Sequence, residues 1–215
     1  LCKIYNYRMV DFDNNIFKKL CIVSAPSGAG KTSLIRKISS NNKISVCISD
    51  TSREPRKGEI DGIDYKFISQ EEFQAKIKKE QYLEHAMVHG NFYGTPIDSI
   101  VNLLEQNIVV ILEIDFQGAE IIKKKFPLSR NIFILPPSMN ILEKRLRERG
   151  TDKEEVILER LENAKIELTK AKNYDYILIN DDFSTAEKQL LSYSLDTDLI
   201  IEDKIRKEPL IHFDF

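Results

Sequence analysis

Short runs of apolar residues recur along the chain, each closed by a turn or a charged stretch. KLCIVSA (19–25), KISVCIS (43–49), NIVVILEID (107–115), NIFILP (131–136) and DYILIN (175–180) are such runs. Those at 107–115 and 131–136 are continuous and β-branched, the pattern of strands covered on both faces within a parallel sheet. Between the runs the spacing becomes helical: Leu34, Ile35 and Ile38 after the first, then the stretches 118–125, 138–149, 153–172 and 184–193. Ser69-x-x-Glu72, Thr151-x-x-Glu154 and Ser184-x-x-Glu187 are capping-box patterns and predict three helix starts. Strands alternating with helices predict an α/β, doubly wound core around a parallel sheet.

Two segments break this alternation. Residues 50–95 are rich in turns and charges, with short strands such as YKFIS and one helix over 70–79, and read as an inserted unit. Residues 137–173 are two charged helices meeting at RERGTDKEE, which read as a mobile lid. There is no internal repeat and no low-complexity tract. The resulting plan has an N-terminal extension (1–17), a core (18–48, 97–136 and 174–194), an α+β insertion (49–96), a helical lid (137–173) and a C-terminal tail (195–215) that takes no clear assignment.

Composition narrows the classes. A chain of 215 residues suits one domain with insertions or two small ones, and 42% hydrophobic with 31% charged residues is ordinary for a globular protein. A net charge of −2 gives no global basic field, which argues against a dedicated nucleic-acid binder. Cys2, Cys21 and Cys47 are odd in number and widely spaced, so they suit neither a metal site nor a disulfide framework; a reduced, cytoplasmic setting is expected. No apolar run approaches the roughly 18 residues of a membrane span. LCKIYNYRMVDFDNN lacks the apolar centre of a signal peptide, and Met9 is an alternative start.

The chemistry concentrates in SAPSGAGKTSL. The strict phosphate-loop pattern, G-x-x-x-x-G-K-[ST], has Ala25 in place of its first glycine. Gly28 and Gly30 still let phosphates approach the backbone, Lys31 supplies charge, Thr32 supplies an oxygen for Mg²⁺, and the helix opening at Lys31 adds its positive end. Residues Ala25, Pro26, Ser27, Gly28, Ala29, Gly30, Lys31, Thr32 and Ser33 therefore form the expected ATP-binding loop, with Ala25 required only to be small. In SDTSREPRKGEIDGIDYKF (49–67), Arg53 and Arg56 stand three apart, with Tyr65 following. Alone, that segment reads as a surface loop with scattered charges. Beside a phosphate loop it reads as a second anion clamp, which points to transfer between two nucleotides.

SAPSGAGKTSL, TSREPRKGEIDGIDYKF, YLEHAMVHGNFYGTP, ILEIDFQGA, RLRERGTDKEEVILERL and YDYILINDD together resemble guanylate kinase, in order and in spacing, over roughly residues 18–190. The resemblance implies a P-loop NTPase-like three-layer core and phosphoryl transfer from ATP to GMP or dGMP, with Mg²⁺. It further implies that Ser49, Arg53, Arg56, Tyr65, Glu84, Tyr93, Thr95 and Asp115 bind GMP. Glu84 and Thr95 would read guanine, and the arginines and tyrosines would hold its phosphate. Whether Asp115 reads guanine, organises metal-bound water or does both stays open. Glu113 stands where some members carry aspartate. Arg145, Arg149 and Arg160 would fold over the phosphates, and Asn180 would lie near the adenine. Arg147, Lys153 and Lys165 read instead as a solvated face with acidic partners, and His85 and His89 as peripheral.

The expected partners are ATP and GMP or dGMP, with no nucleic acid and no membrane; a homodimer is left open. Two rivals remain on sequence grounds: a kinase for another nucleoside monophosphate, and a non-catalytic guanylate-kinase-like interaction module. Retention of Lys31, Thr32, Arg149 and Arg160 speaks against the second.

Overall fold

The fold begins from a strand that has no solvent face. In the computed structural model, which describes residues 14–195 apart from Lys57, His89 and Thr151, β1 (Leu20–Ser24) is buried at all five positions. It leads into α1 (Lys31–Ile38) and β2 (Ile44–Cys47). The chain then leaves the core for β3 (Asp50–Thr51), β4 (Lys66–Phe67), α2 (Gln70–Lys78), β5 (Tyr82–Val88) and β6 (Asn91–Pro96). It returns through α3 (Ile97–Glu105), β7 (Val109–Glu113), α4 (Phe116–Lys125) and β8 (Arg130–Leu135). The helices α5 (Met139–Glu148) and α6 (Glu154–Lys170) follow, then β9 (Tyr176–Ile179) and α7 (Phe183–Leu195).

The core sheet runs β2-β7-β1-β8-β9, with every neighbouring pair parallel. This placement is what continuous apolar runs require, because both faces must be covered. Leu34, Ile35, Ala186 and Leu190 of α1 and α7 pack on one face. Ile100, Leu104, Ala119, Ile122 and Leu168 of α3, α4 and α6 pack on the other. The result is three layers with β1 at the centre, so that its C-terminal end opens into the crevice where such sheets bind ligands.

The second sheet has the order β4-β3-β6-β5 and carries α2 against it. Phe73 of α2 is fully buried and stacks on Tyr82 and Phe92, with ring centroids 4.5 and 5.2 Å away. Asp50, 2% exposed, accepts hydrogen bonds from Tyr82 Oη and Lys76 Nζ, each at 2.7 Å. That pairing is what allows a carboxylate inside this small unit.

The structure departs from the sequence reading at identifiable places. Helix α3 is not foreseen, although Ile97, Ile100, Val101 and Leu104 have helical spacing; Pro96 stands at its N-cap and offers no side-chain bond. Helix α7 starts at Phe183, one residue before the expected cap Ser184, and Asp182 accepts from the Thr185 N–H at 2.8 Å instead. Of the other two boxes, Ser69 does cap α2 by accepting from Glu72 N, whereas Thr151 lies outside the described residues and α6 begins after Lys153 without a side-chain cap. Phe17, assigned to the N-terminal extension, is buried with its ring centroid 4.3 Å from that of Phe126. Met9, Cys2, His89 and residues 196–215 lie outside the described residues. Cys21 and Cys47 are buried and free, and among the described residues no helix is long and apolar enough to cross a membrane.

Candidate active site

The turn between β1 and α1 needs two glycines for two reasons. Gly28 and Gly30 have φ of 93° and 91°, a region that side chains avoid. Space is tight as well: a Cβ on Gly30 would stand 2.3 Å from Asn180 Nδ2, which would have to move, and one on Gly28 would press on the side chains of Leu142 and Leu146 at 3.1 Å. Asn180, 4% exposed, donates Nδ2 to Ala29 O at 2.7 Å and so holds the loop from β9's end. Ala25 is different. The positive-φ non-glycines among the described residues are Glu80 and Asn107, so position 25 does not call for glycine. Gly30→Ala is therefore expected to displace Asn180 and strain the loop by about 1–3 kcal/mol, lowering Tm by several degrees. Calorimetry checks this; an unchanged Tm would show that the close approach to Asn180 is dispensable.

Lys31 and Thr32 open α1 and face the end of β7. Lys31 Nζ lies 3.3 Å from Ile114 O and 3.9 Å from Glu113 Oε1. Thr32 Oγ1 donates to Glu113 Oε1 at 2.5 Å. With its proton committed, the hydroxyl keeps its lone pairs for a hard cation. Ser33 sits on the exposed side of the same helical turn.

Across the crevice, the second sheet assembles the arginine clamp. Arg53 donates Nε to Tyr93 Oη at 3.1 Å and Nη2 to Glu59 Oε1 at 2.9 Å, and its guanidinium lies 5.6 Å from the Tyr65 ring centre. Glu59 Oε2 also accepts from Arg56 N at 2.6 Å, tying the two arginines to one carboxylate. The Arg56 guanidinium is pulled below its ordinary value by burial and then by the charges of Arg53, Arg160 and Arg149. Burial raises the Tyr65 phenol, and the charges of Glu113 and Tyr93 add to it, so the clamp and the phosphate loop share one electrostatic space.

Beneath the clamp lies a buried acid. Glu84 of β5 is 5% exposed, and Thr95 of β6, its register partner, donates to Glu84 Oε1 at 2.5 Å. Burial pushes Glu84 up to about 7, against the Thr95 bond and with help from the Asp115 charge. Asp115 caps α4 by accepting from Gly118 N at 2.9 Å, and a Cβ on Gly118 would stand 2.8 Å from Glu84 Oε2. Helix α4 can therefore come this close to the acid only through a glycine. Ser49 is buried nearby, its carbonyl accepting from Lys66 N.

The helices α5 and α6 complete the enclosure. Arg160 donates Nη1 to Ser27 Oγ at 3.1 Å and pairs with Asp152 at 3.2 Å. Arg145 donates Nη2 to Asn180 O at 3.0 Å. Arg149 is exposed at the end of α5, and its charge reaches Arg56. Arg147 and Lys165 pair with Glu143, Glu154 and Glu162, as a solvated face does. Glu59, Asp152 and Glu167 are the site-lining acids the sequence reading passes over. Glu167 is pushed up to about 7 by burial, opposed by Lys31 and aided by Asp115. Glu59 and Asp152 lie within stretches quoted for the resemblance but take no role from it, and Glu167 lies in none; the part of Glu113 is visible only once β7 stands beside β1.

Comparison with known proteins bears on this arrangement. A sequence model of the guanylate kinase family matches residues 17–195. The guanylate kinase of Hahella chejuensis is 49% identical over 175 residues, spanning 81% of this chain and 84% of that protein. The guanylate kinase of Escherichia coli K12 is 48% identical over 170 residues, spanning 78% and 82%. Among solved structures, guanylate kinase from Anaplasma phagocytophilum superposes with a TM-score of 0.71 at 28% identity, covering 85% of this chain and 87% of that one.

Proposed function

The chain belongs to the guanylate kinase family and is a nucleoside monophosphate kinase, and from that premise we propose how its residues divide the reaction. Glu84 and Thr95 read guanine; Arg53, Arg56, Tyr65 and Tyr93 hold the GMP phosphate; residues 25–33 with Asn180 hold ATP; Lys31, Arg145, Arg149 and Arg160 carry the charge that develops during transfer. Ser49 and Asp115 line the guanine side. Residues 49–96 act as the GMP-binding region and 137–173 as the lid. The observation that carries this reading is Arg160, which bonds Ser27 in the phosphate loop while its charge acts on Arg56 in the clamp. Donor and acceptor phosphates held by those two groups would meet there.

Guanine presents N1–H and a 2-amino group beside the O6 acceptor. Thr95 has one proton, donated to Glu84 in the free enzyme. When guanine enters, that proton turns to O6, and N1–H and the amino group take the carboxylate oxygens. Adenine has an acceptor at N1 and would leave the carboxylate unpaired. The nucleophile is an oxygen of GMP's own phosphate, whose second pKa is about 6, so no general base is needed. Positioning and charge neutralisation then account for the rate. The closed α5–α6 pair excludes water that would otherwise accept the phosphoryl group. dGMP is taken alike, since none of these residues is assigned to the ribose 2′-hydroxyl.

The donor set fits Mg²⁺ held mainly by phosphates and water. Thr32 Oγ1 is a hard oxygen braced by Glu113, and no group of three or more His, Cys, Asp or Glu among the described residues forms a cage by itself. Bound there, the ion would supply charge neutralisation on the ATP phosphates. Unpaired Cys21 and Cys47 suit the cytoplasm, where we place the enzyme.

A pH profile tests the guanine contact. Glu84 is raised to about 7 in the folded protein from an ordinary 4.5, so its protonation favours the folded state, and its contribution to stability grows as pH falls from about 7 towards 4.5. Binding runs the other way, because a protonated carboxyl offers guanine one acceptor fewer. KM for GMP is expected to rise several-fold more steeply in the wild type than in Glu84→Gln between about pH 8 and about pH 5.5. GMP's phosphate titrates equally in both proteins, so identical profiles would remove Glu84 from the guanine contact.

A further inference from the structure

Gly118 stands in the first turn of α4, and glycine is a poorer helix former than alanine. Its backbone does not call for glycine, because its φ lies outside the left-handed region that Gly28 and Gly30 occupy. The demand comes from space. A Cβ at 118 would stand 2.8 Å from Glu84 Oε2, and 3.3 Å from both Glu84 Cδ and Ile114 Cδ1.

How each side is held decides which would yield. The helix is pinned before and after Gly118. Asp115 caps it by accepting from Gly118 N at 2.9 Å, and Ala119 and Ile122 are buried in the core. Further on, Lys125 Nζ donates at 2.6 Å to the carbonyl of Leu83, the neighbour of Glu84 on β5. Glu84 is tethered at one oxygen by Thr95, and its side chain keeps rotatable bonds. A methyl at 118 would therefore displace the carboxylate rather than the helix. A carboxylate that must accept from two adjacent donors at once tolerates little displacement.

The same residue meets the second acid. The Gly118 N–H orients Asp115, while its bare Cα admits Glu84, and the two carboxylates lie close enough for the charge of Asp115 to act on Glu84.

We infer that Gly118 is a positioning residue for guanine selection: the side chain it lacks sets where the Glu84 carboxylate stands. The inference rests on the assignment of Glu84 to the base made above.

Initial-rate kinetics and calorimetry on Gly118→Ala, Glu84→Gln and the double variant test it. In Gly118→Ala, KM for GMP is expected to rise at least about fivefold, with kcat and KM for ATP within about threefold and Tm within about 5 °C of the wild type. A residue that only packed the helix would lower Tm and leave the ratio of the two KM values alone. In the Glu84→Gln background, alanine at 118 is expected to change kcat/KM for GMP by less than about threefold, because both substitutions spoil one contact.

A smaller rise in KM for GMP, an equal rise in both KM values, or a loss in the double variant equal to the product of the single losses overturns the inference. So does a larger fall in Tm or a failure to fold, since the strain then lies in the helix and not in Glu84. Should Glu84→Gln leave kcat/KM for GMP unchanged, the assignment of Glu84 falls and this inference with it. A loss in Glu84→Gln without one in Gly118→Ala sinks this inference alone.

Discussion

Replacing Lys31 with alanine is expected to lower kcat about a thousandfold while leaving Tm within a few degrees of the wild type. The ammonium belongs to the first residue of α1, directly after Gly30, where the free backbone N–H groups of a helix start favour an anion. Among the described residues it meets Ile114 O at 3.3 Å and Glu113 at 3.9 Å, and its charge reaches Glu167, so little of the fold depends on it. Its loss removes one of the cations proposed to meet the transferring phosphoryl charge, and that deficit falls on the transition state rather than on the native structure. Steady-state kinetics with calorimetry on the same sample measure both sides. A near-normal kcat would remove the phosphate loop from the mechanism.

The second large effect belongs to Glu84→Gln. Glutamine keeps the size of the side chain and an oxygen for the Thr95 bond, but it turns one acceptor into a donor facing guanine's donors. A buried mismatch of that kind costs about 2–4 kcal/mol, so kcat/KM for GMP is expected to fall by roughly two to three powers of ten. Stability should hold or rise, since Glu84 is 5% exposed and a neutral amide escapes the burial cost that raises the acid to about 7. Unchanged kcat/KM for GMP would show that Glu84 does not read the base.

Much of the site was legible in the chain because phosphate binding is a local act. Strand, glycines, Lys31, Thr32 and helix are consecutive, and their order alone carries the loop. Glu84 is the opposite case. Nothing near it distinguishes it from a solvated strand acid, and only the resemblance marks it; its burial depends on Thr95 opposite it and on Gly118 of helix α4 packing against it. Glu113 bonding Thr32 is likewise a contact between elements, which a linear pattern does not encode, while Glu59 braces Arg53 within one loop. Local signals also misled where two candidates competed. Ser184 fits a capping box, yet the helix starts at Phe183 and Asp182 caps it by accepting from Thr185 N, an ionised oxygen being a strong acceptor at a helix N-terminus. Helix α3 has helical apolar spacing but no cap signal, because Pro96 at its N-cap offers no side-chain bond.

The central claim is that one crevice holds a phosphate loop for ATP and a carboxylate site that selects guanine. ADP release, coupled to an optical assay and run with GMP, dGMP, AMP, CMP and TMP at equal concentration, tests it most directly. Turnover with GMP and dGMP exceeding that with each of the other three by at least about a thousandfold is the expected result. Comparable turnover with AMP, CMP or TMP, or no turnover with any monophosphate, would contradict it.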